Sequence, residues 1–193
     1  MLALIDESVV DGRRGFHYVL ACALVLDAAG PDDMSCVYLR EKLTHLLAER
    51  RRPFRWKEEG VVKKGLLVDL IVDSELFALA AISRPGERYH QRRNRAECLT
   101  LLCQQLAVEG VSHVIVESRS DQDQDDLNAV RMAQEKSILP ADFPELEFRD
   151  KTESLLWLPD AVAGAIREAE TGVDGSWVQR LVAGGSVLGI HRL

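Results

Sequence analysis

A chain of 193 residues with 47% hydrophobic side chains has room for one domain with a core of its own, and its net charge of −7 excludes indiscriminate adhesion to polyanions. The acidic pair Asp6-Glu7 breaks the first apolar run after five residues, and no later run approaches the roughly 18 apolar residues of a membrane span. Neither a signal peptide nor a membrane partner is expected, and the expected location is cytoplasmic. Cys22, Cys36, Cys98 and Cys103 form no C-x-x-C pair, so no zinc framework or disulfide scaffold is expected either.

Taken in chain order, residues 2–6 read as a strand and residues 16–26 as a longer one, with the glycine-bearing stretch 11–15 as a hairpin connection. Pro31, Asp32 and Asp33 open a helix expected to run to about Arg52, with Val37, Leu43, Leu46 and Leu47 as its apolar face. Residues 54–60 are a break, and a second helix follows over about 61–73. A strand over 75–83 is stopped by Pro85-Gly86. A long helix spans about 88–109, with Ala96, Leu99, Leu102, Cys103 and Leu106 at steps of three and four, and Gly110 closes it. A strand over 111–117, a helix from Asp121 to Ile138, a strand over 146–149 and a helix over about 155–169 come next. Residues 176–183 suit a short helix and 186–190 an edge strand.

Early strands without room for crossovers suggest an antiparallel meander, and the later strand-helix alternation suggests parallel additions. The expected fold is therefore α/β, a five-stranded mixed sheet with helices on both faces. This is the ribonuclease H-like order, here with a helical insertion at about 31–73 between strands two and three, the whole chain forming one domain.

The chemistry gathers on three acids. Asp6 ends a buried apolar run, where an unpaired charge costs several kcal/mol, on the order of the burial penalty for an ion. Glu117 ends another such run, and Asp160 opens an amphipathic helix. If strands one and four are neighbours, Asp6 and Glu117 meet, and the last long helix brings Asp160 to the same place. Three carboxylates so close need cations, and Mg2+ or Mn2+ is the usual hard partner, so Asp6, Glu117 and Asp160 are both the expected catalytic acids and the expected metal ligands. The implied chemistry is phosphodiester hydrolysis. Glu7 points to the other face of its strand by alternation and is expected to support the site from behind. Asp121 and Asp150, just beyond their strands, are reserve acids. Arg119 and Lys151 stand beside the acids, either to hold a scissile phosphate or to neutralise the carboxylates when no metal is bound. The basic clusters Arg50, Arg51, Arg52, Arg55, Lys57 and Arg84, Arg88, Arg92, Arg93, Arg95 read individually as solvated faces, and collectively as guides for a nucleic-acid backbone.

The ordered set Ile5-Asp6-Glu7-Ser8, Tyr18-Val19-Leu20-Ala21, Val114 to Arg119, Phe148-Arg149-Asp150-Lys151 and Leu155 to Ala163 resembles the domain-of-unknown-function family numbered 3800. That family is similar to the ribonuclease H-like nucleases, transposases and resolvases. The resemblance departs at Val9, where members carry Gly, and at Trp157-Leu158-Pro159-Asp160, where they carry Gln-Leu-Ala-Asp. Two functions follow as expectations. One is a divalent-metal-dependent nuclease acting on DNA or RNA. The other is a non-catalytic nucleic-acid-binding or protein-interaction module on the same fold, in which Asp6 and Glu117 bridge to arginines rather than bind metal. An exposed edge strand permits a homodimer without requiring one.

Overall fold

Strand β1 (Leu2–Gly12) begins with four residues of which no part reaches solvent, Leu2, Ala3, Leu4 and Ile5, as a strand covered on both faces requires. The computed structural model describes residues 1–12, 15–46, 53–86 and 90–193. β1 is longer than its apolar run because it pairs antiparallel with β2 (Gly15–Val25) along its whole length, from Leu2 opposite Val25 to Gly12 opposite Gly15. Helix α1 (Met34–Leu46) buries Cys36, Leu39 and Leu43; of the expected face Leu43 is buried, Leu46 packs against the core and Val37 is half-buried, while Leu47 and the expected extension to Arg52 fall outside the described residues. A 3-10 turn at Trp56–Glu58 precedes α2 (Val61–Asp73). Then come β3 (Phe77–Ile82), α3 (Gln91–Val108), β4 (His113–Glu117), α4 (Asp123–Glu135) and β5 (Leu146–Arg149). The last elements are α5 (Trp157–Thr171), α6 (Ser176–Ala183) and β6 (Val187–Arg192).

The sheet has six strands in the order β5-β4-β1-β2-β3-β6, not five. The C-terminal segment expected to be an edge strand joins the sheet, parallel to β3, because α6 turns the chain back beside that strand. Otherwise the strand directions are those expected: β1, β2 and β3 form an antiparallel meander, and β4 and β5 add in parallel on the other side of β1.

Alternation along the strands divides the core into two layers. Leu2, Leu4, Val19 and Ala21 face α1, α2, α5 and α6, whereas Ala3, Ile5, Leu20 and Cys22 face α3 and α4. All four cysteines are buried and free. α3 stops at Gly110, whose φ of 73° suits the residue that closes a helix. Helix α5 is buried nearly all round from Leu158 to Ile166, and Pro159 sits in its first turn, where a missing N–H costs nothing. This central helix lies across β1 and β2 and carries Asp160.

Candidate functional site

The register between β1 and β4 pairs Ile5 with Val116, so the next residues, Asp6 and Glu117, emerge together at the carboxyl ends of adjacent parallel strands. α5 brings Asp160 over the same end. β5 pairs Glu117 with Arg149, and two residues further on Lys151 enters from a tight turn in which Asp150 accepts from the Thr152 amide at 2.8 Å. The Lys151 Nζ lies 3.1 Å from Asp6 Oδ2, 3.4 Å from Glu117 Oε2 and 3.6 Å from Asp160 Oδ1. The three expected acids and the expected cation thus meet at one point. The Asp6 side chain is fully buried, and the others show solvent only 12–15% of their surface.

Each acid is fixed by its own local contact. Asp6 Oδ1 accepts the Glu7 amide at 2.6 Å, and Asp160 Oδ2 accepts the Trp56 amide at 2.9 Å. Asp6 Oδ2 and Glu117 Oε2 have no hydrogen bond of good geometry, so the Lys151 ammonium is what compensates them. Burial pushes the Asp6 carboxyl well above its ordinary value, and the neighbouring Glu117 carboxylate adds to the rise. Burial opposes the charge on Glu117 too, but Asp6, Lys151 and Arg119 outweigh it and hold that carboxyl below the usual range. Asp160 is raised by burial, against the pull of Lys151. Burial works against the Lys151 charge, yet the three carboxylates prevail and raise its ammonium.

Glu7 faces the opposite side of the sheet, as alternation requires. There it is buried in a second charged group: Arg95 contacts Glu7 directly and also holds Asp126 with Nη2 at 2.6 Å and Nε at 2.9 Å, while its Nη1 donates to the Tyr18 hydroxyl at 3.2 Å. Arg119, 42% exposed, bridges the two groups, 2.9 Å from Glu7 Oε1 and 3.9 Å from Glu117 Oε2. Its loop is shaped by Asp123, which accepts the Arg119 amide at 2.7 Å and the Ser118 hydroxyl at 2.6 Å.

The two reserve acids lie outside the cluster. Asp121 is exposed and pairs with Arg92 at 3.4 Å, and the Asp150 carboxylate is turned into its own loop. In the second basic cluster Arg84 is exposed, whereas the other described arginines are engaged by acids. Arg95 is buried, Arg92 meets Asp121 and Asp125, and Arg93 meets Glu97 at 2.7 Å. Arg88 and, in the first cluster, Arg50, Arg51 and Arg52 fall outside the described residues, whereas Arg55 and Lys57 are exposed on either side of buried Trp56. His113 on β4 pairs with Glu147 on β5 at 2.6 Å.

Nothing in the residue pattern signals what holds Asp160. Trp56 docks on α5, its indole N–H donating to Glu168 at 3.0 Å, with Lys64 on the same carboxylate at 2.6 Å and Trp177 edge-on at 5.8 Å. A tryptophan in a polar break was the available signal, but its partner lies far away in the chain.

Three hard oxygen donors from three elements, two of them with an oxygen that no hydrogen bond occupies, are the chemistry a divalent cation takes. Among the described residues no three such groups stand as a closed metal site, since the carboxylates are fanned around the ammonium.

Fold and site together define a mixed α/β protein with an acid cluster built on one lysine at the carboxyl end of its central parallel strands. No protein-family model matches the chain, and no curated protein does. Among solved structures it is similar to a chain of the PCNA:RNase HII complex from Archaeoglobus fulgidus, at 15% identity and a TM-score of 0.47, with 96% of this chain and 77% of that one covered.

Proposed function

We propose that this protein hydrolyses phosphodiester bonds of a nucleic acid with Mg2+ or Mn2+ held by Asp6, Glu117 and Asp160, on a ribonuclease H-like fold and as a member of the domain-of-unknown-function family numbered 3800. The observation that carries this reading is the convergence of those three carboxylates, from β1, β4 and α5, on a single cation. A divalent ion held there would supply Lewis acidity at the phosphate and an activated water.

The chain's own groups do the positioning. Asp6 and Glu117 are fixed by the parallel pairing of their strands, and the Trp56 amide orients Asp160. Arg119, partly exposed beside Glu117, is placed to meet a phosphate oxygen. Arg55 and Lys57, exposed on either side of Trp56 in the chain, are the further cations offered to a nucleic-acid backbone. No helix among the described residues is long and apolar enough to cross a membrane, which suits the proposed cytoplasmic site of action.

The test is manganese titration by calorimetry and melting, on the wild type and on Asp6→Asn, followed by cleavage assays on labelled DNA and RNA. A metal that binds the native state raises its stability by about 2.7 kcal/mol at one hundred times its Kd, and that gain should vanish in Asp6→Asn together with cleavage. No metal response in the wild type, with Asp6→Asn melting at or above it, would sink the catalytic reading. The second reading, a non-catalytic binding module, is favoured by one specific observation: Lys151 and Arg119 already neutralise the acids. It predicts nucleic-acid or protein binding that is indifferent to divalent metal.

A further inference from the structure

We infer that Lys151 is a resident cation in the seat of the metal, one that a divalent ion must displace before the three carboxylates can close on it. The inference rests on the reading of Asp6, Glu117 and Asp160 as ligands and adds a competitor to it. The Lys151 Nζ is within 3.1–3.6 Å of an oxygen from every one of the three acids, so it fills the point on which they converge. Magnesium–oxygen bonds are about 2.0–2.1 Å long, shorter than any of these contacts, so carboxylates drawn onto an ion leave no volume for the ammonium.

Charge leads to the same conclusion. With Lys151 in place and Arg119 at 3.9 Å from Glu117, the cluster is already largely compensated, and a divalent ion beside a retained ammonium would put like charges in contact in a nearly dry site. The means of leaving is also present. Lys151 sits in the turn after β5, between exposed Asp150 and Thr152, and 15% of its side chain already meets solvent. A four-carbon stem carries the ammonium to water by rotation about side-chain bonds, with no backbone movement. Lysine therefore holds the empty cluster together and releases it on metal loading, which makes apparent metal affinity weaker than the carboxylates alone would give. A seat that is open one time in ten weakens apparent affinity about tenfold.

The experiment titrates Mn2+ into the wild type and Lys151→Met by calorimetry, and in parallel labels wild-type lysines with an acetylating reagent, with and without Mn2+, reading Lys151 by mass spectrometry. The expected result is at least about tenfold tighter binding by Lys151→Met. Lys151 of the wild type should go from protected to reactive as Mn2+ saturates. Equal or weaker binding by the variant, with a wild type that binds, overturns the competition and leaves the metal reading standing. If neither protein binds Mn2+, the metal reading itself falls, and the competition with it. If the variant fails to fold, the labelling decides: reactivity that rises with Mn2+ supports the displacement, and reactivity that does not change refutes it.

Discussion

The backbone N–H of Trp56 donates to Oδ2 of Asp160 at 2.9 Å, tying the turn before α2 to the first turn of α5. The tryptophan is seated directly against Gly164, one turn further along the helix, where a Cβ would run into Trp56 Cβ, Cγ and Cδ1. Glycine is required there by close approach, although it costs helix propensity. Gly164→Ala is therefore expected to lose about 1–3 kcal/mol of stability through overpacking. Because Trp56 must move, Asp160 should lose its amide and the manganese response should weaken. Urea unfolding and metal-dependent melting check this. A variant as stable as the wild type, with an unchanged metal response, would show that Trp56 does not position the acid.

Behind β1, Arg95 is the only charge of the described residues in contact with both Glu7 and Asp126, and the side chains of all three are at most 3% exposed. Burial raises the Asp126 carboxyl even though Arg95 pulls it down, so the group depends on that arginine. Arg95→Met should cost about 3–5 kcal/mol, because it leaves two buried acids without their main cation. Adding Glu7→Gln and Asp126→Asn to it should recover most of the loss. Denaturant melts of the single and triple variants decide between a shared network and independent contacts.

Glu153 gives a pH test on a carboxylate that is not one of the three clustered acids. Burial disfavours its charge, but Arg40 at 2.8 Å, the Leu155 amide and Arg149 at 2.7 Å outweigh burial and bring its carboxyl down to about 2. A depressed acid binds fewer protons in the fold than in the unfolded chain. Its stabilising contribution is thus complete above the unfolded value of about 4.3 and is lost as pH falls from there toward 2. Glu153→Gln should melt below the wild type at pH 7, and the gap should close as pH drops through that window. A gap independent of pH would mean that packing, not charge, holds this contact.

Arg119 separates stability from binding. Its exposed bridge to Glu7 should contribute less than about 1 kcal/mol, since Arg95 still compensates the acid. If the residue meets a phosphate, Arg119→Gln should lower nucleic-acid affinity and reduce the salt dependence of binding by about one ion. Fluorescence anisotropy across a salt series reads both effects.

The elements were legible wherever one period dominated, as in α2 and β5, whose bounds are those expected. The acid trio was legible because an apolar strand that ends in a carboxylate raises the question of its partner. What was hidden was partnership across the chain. Arg95 read as one of a solvated basic run, yet it is buried, because the acids that hold it come from β1 and α4. Lys151 read as a neighbour of the site, and its central place comes from the turn that Asp150 and Thr152 form. The sixth strand was expected only as an edge, since nothing local specifies that β3 is its partner.

The carboxylate centre also has a history in time. β1 and β2 pair with only two residues between them, but Asp6 stays without Asp160 until residue 160 has been made and α5 has packed across β1. Domains fold as units, and contacts between residues far apart in the chain carry a loop-closure cost. A growing chain therefore carries Asp6 without its partners until the turn bearing Lys151 and α5 have been made, so the site's charge balance cannot be reached before most of the chain exists.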